Sequence, residues 1–156
     1  MRMLYILLIA LIAPVLVGCG GGGGGSSDND EATVALTVPT GTTITDGSGN
    51  ELSEAPTVTI KSADSFTPSM ESDSFVAAAT CEPAGAVFSN AVTLTFHLAA
   101  AVESGASLAL FQSNASNSWN EVSDYTLNVS ADRLTLTVEV SSFSAYEDYV
   151  ILVVPT

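Results

Sequence analysis

Basic residues are almost missing from this chain. Of its 156 residues, three are Lys or Arg and 17 are Asp or Glu, for a formal net charge of −14. Binding nucleic acid requires clustered Lys and Arg that neutralise phosphates, so nucleic acid is excluded as a partner. Direct adhesion of a folded part to anionic headgroups is disfavoured for the same reason, whereas an acidic surface favours solubility. Histidine occurs once, at His97, and cysteine twice, at Cys19 and Cys81, which leaves zinc poorly served. The glycine run at 20–25 opens no helix after a strand, so it is no phosphate cradle. No cofactor is implied. Long apolar runs are scarce as well: the best, Met3 to Val17, has 15 residues and contains Pro14. A permanent transmembrane helix needs about 20.

What is present at the N-terminus is more specific. Arg2 precedes the apolar run, Gly18-Cys19 follows it, and then come six glycines and Ser26-Ser27. A short positive region, an apolar stretch and a small residue before a cut define a secretory signal. Leu16-Val17-Gly18-Cys19 resembles the lipobox of bacterial lipoproteins. The resemblance implies that residues 1–18 are a signal peptide cut between Gly18 and Cys19, and that Cys19 is the lipidated residue. An ordinary secretory signal with an incidental Cys is the alternative. Each buried methylene contributes about 0.8 kcal/mol, so two or three acyl chains anchor stably where one does not. In such lipoproteins Asp after the Cys favours the inner membrane. Gly20 therefore points to the outer membrane, with the domain on its periplasmic or surface side.

Residues 19–31 read as the lipidated Cys and a flexible tether of glycine, serine and acidic residues. The twelve residues 20–31 span roughly 20 Å as a flexible coil. Residues 32–156 suit one domain. Removal of 1–18 takes Arg2 away and leaves Lys61 and Arg133 against 17 acids, a net charge of −15.

Beyond residue 32 the hydrophobic period is two. Val34, Leu36 and Val38 alternate with Thr33, Ala35 and Thr37; Val58 and Ile60 with Thr57, Thr59 and Lys61. The pattern returns at Val92, Leu94, Phe96 and Leu98, and at Leu134, Leu136, Val138 and Val140. Such runs put one face in a core and one in water, and Thr and Val suit the pleat. Shorter strands are expected at 108–111, 119–122 and 125–129. Val150 to Val154, continuously apolar, reads as a strand covered on both faces or closed over at an edge. Turn signals fall at Pro39-Thr40-Gly41, Asp46-Gly47-Ser48-Gly49-Asn50, Pro83-Ala84-Gly85 and Ser104-Gly105. Ala99 to Glu103 looks helical for one turn, and 62–73 reads as a long surface loop. The expected fold is an all-β, antiparallel β-sandwich.

Residues 81–96, Cys-Glu-Pro-Ala-Gly-Ala-Val-Phe-Ser-Asn-Ala-Val-Thr-Leu-Thr-Phe, resemble the opening of the ZU-type domain, a β-sandwich module of zonula occludens and Unc receptor proteins and of bacterial surface proteins. Leu108-Ala109-Leu110-Phe111, Trp119-Asn120-Glu121-Val122 and Val140 to Tyr146 are similar to its closing pattern, so the resemblance covers 81–148. Ala91 stands where Pro is common and Ser142 where His is common. Some relatives cleave themselves at His-Phe-Ser, the Ser hydroxyl attacking the preceding carbonyl. Phe143-Ser144 keeps that pair, but Ser142 is a poor base. The alternative is that Phe143 packs in the core and Ser144 caps a turn.

Other candidate sites are sparse. His97 points outward by alternation, and no nucleophile-elbow motif accompanies it. Cys81 follows an apolar stretch and reads as a buried small hydrophobe, with a redox or intermolecular role as the rival. Asp46, Ser48, Asn50 and Glu51 place oxygens as a calcium loop does, yet Asp-Gly and Gly-Asn are also hairpin pairs. The acid pairs at 28–31 and 147–148 suit solvated surface. The Asn114 and Asn128 sequons suit polar loop and strand positions. Trp119, Phe143 and Tyr146 are expected in the core. The sequence thus leads to a lipid-anchored envelope protein with a non-catalytic structural or protein-interaction sandwich. Binding of glycan or calcium through loops 44–51, 62–73 and 112–118 is the alternative.

Overall fold

Alternating Thr and aliphatic residues can satisfy their backbone only by pairing with other strands, and the pairing found is antiparallel throughout. The computed structural model describes residues 32–65, 74–114, 118–146 and 148–154. Gly18, Cys19 and the tether therefore lie outside the described residues, as do 66–73, 115–117 and Glu147.

Among the described residues the strands are β1 (Thr33–Thr37), β2 (Ile44–Thr45), β3 (Thr57–Lys61), β4 (Phe75–Glu82), β5 (Val87–His97), β6 (Ser107–Ser113), β7 (Trp119–Glu121), β8 (Thr126–Val129), β9 (Thr135–Ser142) and β10 (Asp148–Val154). They form two sheets. The first runs β1-β5-β9-β8, with β2 also on β5; the second runs β3-β4-β10-β6-β7. The expected antiparallel β-sandwich is the fold.

Alternation decides the interior. Val92, Leu94 and Phe96 of β5 and Leu136, Val138 and Val140 of β9 meet Ala77, Ala79 and Cys81 of β4, Leu110 of β6, and Tyr149 and Ile151 of β10 in one core. The alternate residues, Thr93, Thr95, His97, Thr135, Thr137 and Glu139, line the outer face of the first sheet, in register across β5 and β9. The apolar strand at the C-terminal end is β10, the middle of its sheet rather than an edge. Val150 and Ile151 point to opposite faces and both are fully buried. Two faces in contact explain why the run shows no period of two.

The structure corrects four details. Ala99 to Glu103 is not helical: five residues cannot repay helix nucleation, and the segment is instead held by Arg133. Leu134 lies outside β9 and is 39% exposed, because the turn through Arg133 (φ 63°) delivers the alternation one step later, at Thr135. Tyr146 is 50% exposed rather than core, since it sits in the turn before β10. Trp119 is half-buried on the outer face of the second sheet, packed near Ala78 and Val150.

Antiparallel register also sorts the connections to two ends. Ala32, the end of β3, the 98–106 crossing between sheets and the β8–β9 turn share one end. The 38–56 connection, the Pro83–Ala86 turn and the 143–146 turn share the other.

Candidate functional site

The Asp46 loop extends β2 into a hairpin that closes at the Thr45–Glu51 bridge and at Leu52 N–H to Ile44 O, 2.9 Å. Asp46 Oδ1 accepts the backbone N–H of Ser48 (2.8 Å) and of Asn50 (2.9 Å), and Oδ2 accepts Asn50 Nδ2 (2.9 Å). Gly49 supplies the left-handed backbone the turn needs (φ 85°). The Asn50 side-chain amide, followed by its backbone N–H, holds the Asp46 carboxyl below its usual range. The loop is built as a turn. A cation at Asp46 would displace these bonds, and Asn50 offers Asp46 its nitrogen rather than its oxygen.

At the same end of the sandwich, Phe143 and Ser144 are tied into the opposing turn. Phe143 N–H donates to Ala86 O (2.7 Å), and Gly85 N–H donates to Ser144 O (2.9 Å). The Phe143 ring meets Phe88 edge-on, centroids 4.8 Å apart. Ser144 is buried, and its Oγ accepts Tyr146 N–H (3.1 Å) while donating to Ser113 O (3.4 Å). Tyr149 Oη donates to Ser142 O (2.7 Å). The arrangement is that of a core aromatic beside a turn-capping serine.

His97 is exposed between Thr33 and Thr135 in the first sheet, with Nδ1 3.4 Å from Thr135 Oγ1. Cys81 is fully buried in the core, and burial first, then the charge of Asp148, pushes its thiol up to about 12. A thiol that stays protonated is neither nucleophile nor metal ligand at neutral pH. Among the described residues no cluster of three or more His, Cys, Asp or Glu could hold a metal, and no helix is long and apolar enough to cross a membrane.

The candidate loops are thus split. Residues 44–51 lie at the end shared with Phe143-Ser144, whereas the 62–73 connection leaves β3 at the opposite end, beginning with a 3-10 turn at Ala63–Ser65.

Three features escape sequence reasoning. Lys61 Nζ pairs with both oxygens of Asp148, which also accepts Thr80 Oγ1 (2.8 Å). Nothing in a separation of 87 residues signals that pair. The outer face of the second sheet carries a small apolar cluster, Phe75, Phe111, Trp119 and Leu152 around fully buried Ala78 and Val150. Register places Lys61, Ala78, Val150, Phe111 and Glu121 in one row across five strands, which single-strand alternation does not reveal. Finally, a cleft of about 920 Å³ opens at the end where Ala32 enters the sandwich, floored by Ile60, Val76, Leu98, Val102 and Val153. Alanine richness at 99–101 is its only trace in the sequence.

Compared with known proteins, the chain matches no family model, no curated protein and no solved structure.

Proposed function

We propose that this is a lipid-anchored protein of the bacterial cell envelope, held by Cys19, whose acidic β-sandwich is a non-catalytic structural or protein-interaction module. The observation that carries the reading is Leu16-Val17-Gly18-Cys19 at the end of a 15-residue apolar run, followed at once by a glycine tether. The tether would let the domain stand off a lipid surface that its own net negative charge does not favour touching. An outer-membrane location follows from Gly20. The likeness of residues 81–148 to the ZU-type domain adds the expectation of a surface module.

The interaction half of the reading draws support from the apolar cluster on the outer face of the second sheet, a place that sandwiches ordinarily give to polar residues. The other readings have less behind them. The Asp46 carboxylate is committed to its own turn, Trp119 packs against neighbours instead of standing free as a sugar platform, and the Ser144 hydroxyl has Ser142, not a base, before Phe143. Feeding cells a clickable fatty acid and purifying the chain tests the anchor. Label is expected on the wild type and not on Cys19→Ala; equal label on both would overturn the assignment. Intact mass of the same sample reports on the domain, because a break between residues 143 and 144 would replace the non-catalytic reading with self-cleavage.

A further inference from the structure

We propose that the open edge of β8 docks an extended segment of a partner protein that carries Lys or Arg at both its ends, adding a strand to the first sheet. The proposal rests on the protein-interaction reading above and gives that reading a surface and a partner chemistry.

Backbone phase shows what the edge offers. Ser130 N–H donates to Thr135 O (2.9 Å), and bonded pairs alternate along an antiparallel ladder. By register, Asn128 and Thr126 then bond to Thr137 and Glu139, which leaves the N–H and C=O of Leu127 and Val129 directed away from β9. Among the described residues no strand pairs with that side of β8. The opposite side of the sandwich differs, because β1 and β3 lie against each other there and close it. β7 and β8 do not approach in that way. The neighbouring edge of β6 is satisfied: Leu110 N–H donates to Tyr125 Oη (3.2 Å), and Leu110 O accepts Val122 N–H (2.9 Å). The longer undescribed stretches join the fold at Ala32, Ser65 and Ser74, beside β1, β3 and β4 rather than β8.

Side chains and charge narrow the occupant. β8 reads Thr-Leu-Asn-Val, with no Lys, Pro or inward charge of the kind that guards an exposed edge. Leu127 and Val129 are half-buried against the core, so an added strand gains by setting apolar side chains beside them and polar ones beside Thr126 and Asn128. The strand is short and its backbone bonds are few, which leaves the choice of partner to charge. Acids stand at both ends, all exposed: Asp124, with Glu139 opposite Thr126, at one, and Asp132 at the other. Arg133, beside Asp132, turns its guanidinium away to Val102 O and Glu103 O. A second copy is a poor occupant. Two β8 strands bonded antiparallel through Leu127 and Val129 centre on Asn128, which sets the Asp124 end of each against the Asp132 end of the other. Like charges opposed across strands destabilise, whereas a segment with cations at both ends meets the same carboxylates favourably.

The test follows amide exchange by NMR in the purified full chain with two synthetic peptides, each alternating Val and Thr and long enough to span Asp124 to Asp132. One ends in Lys on both sides and the other in Glu. At millimolar Lys-ended peptide, exchange at Leu127 and Val129 is expected to slow at least threefold, and the Glu-ended peptide should leave it unchanged. Val129→Pro removes an N–H that faces solvent, a change an edge strand tolerates, and should abolish the slowing at Leu127. Asp124→Lys, at an exposed bend, should reduce the slowing without touching the ladder. Slowing by neither peptide, or by both equally, overturns the proposal. So does protection of these amides that rises with protein concentration alone, which would give the edge to a second copy. A photo-cross-linker placed in cells at Asn128 or at Phe111 separates the edge from the reading it rests on. Protein adducts are expected from Asn128; adducts from Phe111 alone sink the edge and keep the interaction module, and adducts from neither sink both.

Discussion

Lys61 Nζ lies 3.0 Å from Asp148 Oδ1 and 3.1 Å from Oδ2, reaching across β4 to join the two strands that flank it. The pair is neither open nor sealed, with side-chain exposures of 31% and 18%. Thr80, in the strand between, fixes the carboxylate with a third bond of 2.8 Å. An ion pair of this intermediate burial with a supporting hydroxyl is worth more than a surface pair and less than a buried one. Asp148→Asn is expected to cost about 1–2 kcal/mol in urea unfolding at low salt. The deficit should shrink in 1 M NaCl, where the wild type loses part of the same attraction.

The Cys81 thiol predicts a loss of stability in alkali. Burial pushes it up to about 12 in the folded chain from an ordinary 9.0, so above pH 9 the unfolded chain gives up a proton that the folded chain keeps. Stability is therefore full below pH 9 and falls as pH rises toward 12, by about 1.4 kcal/mol per unit. Tyr149, also raised by burial, adds its own loss at higher pH. Cys81→Ala should start lower in melting temperature, because it opens a cavity. It should also decline less steeply than the wild type between pH 9 and 10. Parallel slopes would refute the thiol as the cause.

Acid acts through different groups. Asn50 holds the Asp46 carboxyl low, and Ser130 does the same for Asp132, so both favour the fold as carboxylates. The stability they lend is present above the ordinary carboxylate range and is lost as pH falls through their lowered values. Melting temperature should drop below about pH 4, and Asp46→Asn should show a smaller drop there. If Asp46 instead serves a cation, millimolar calcium would raise the melting temperature at pH 7 and Asp46→Asn would abolish the rise. No calcium effect is expected.

Arg133 combines a left-handed backbone with a side-chain clamp, and two substitutions separate them. Arg133→Ala keeps the positive φ at a cost of about 1 kcal/mol or more and loses the bonds to Val102 O and Glu103 O. Arg133→Gly loses the same bonds without the strain. Both should unfold below the wild type, with the Gly variant more stable than the Ala variant by about 1 kcal/mol. Faster amide exchange at Val102 in both would place the loss in the 98–106 crossing.

Leu94 and Val138 show how far alternation carries. Each sits inside a period-two run, and each is fully buried, opposite the other in register. A face that must avoid water leaves only one orientation for such a strand, so the sheet, its inner face and His97 pointing outward were legible. Cys81 was legible too, because apolar neighbours mark a strand whose small thiol can be covered. Tyr146 and Leu134 were not, because a turn residue has no periodicity to reveal its side.

The sequence by itself determined an acidic, strand-forming chain, since alternation, turn residues and the near-absence of Lys and Arg are properties of neighbours along the backbone. It also contains Leu16-Val17-Gly18-Cys19, the local pattern on which the proposed anchor rests. Only the tertiary structure decided that β10 lies at the centre of its sheet, that Lys61 finds Asp148, and that the alanines at 99–101 wall a cleft beside Ala32. Those facts depend on which strands pair and on which connections meet at one end of the sandwich. Pairing is set by the summed packing of the whole core, and no single stretch of the sequence contains that sum.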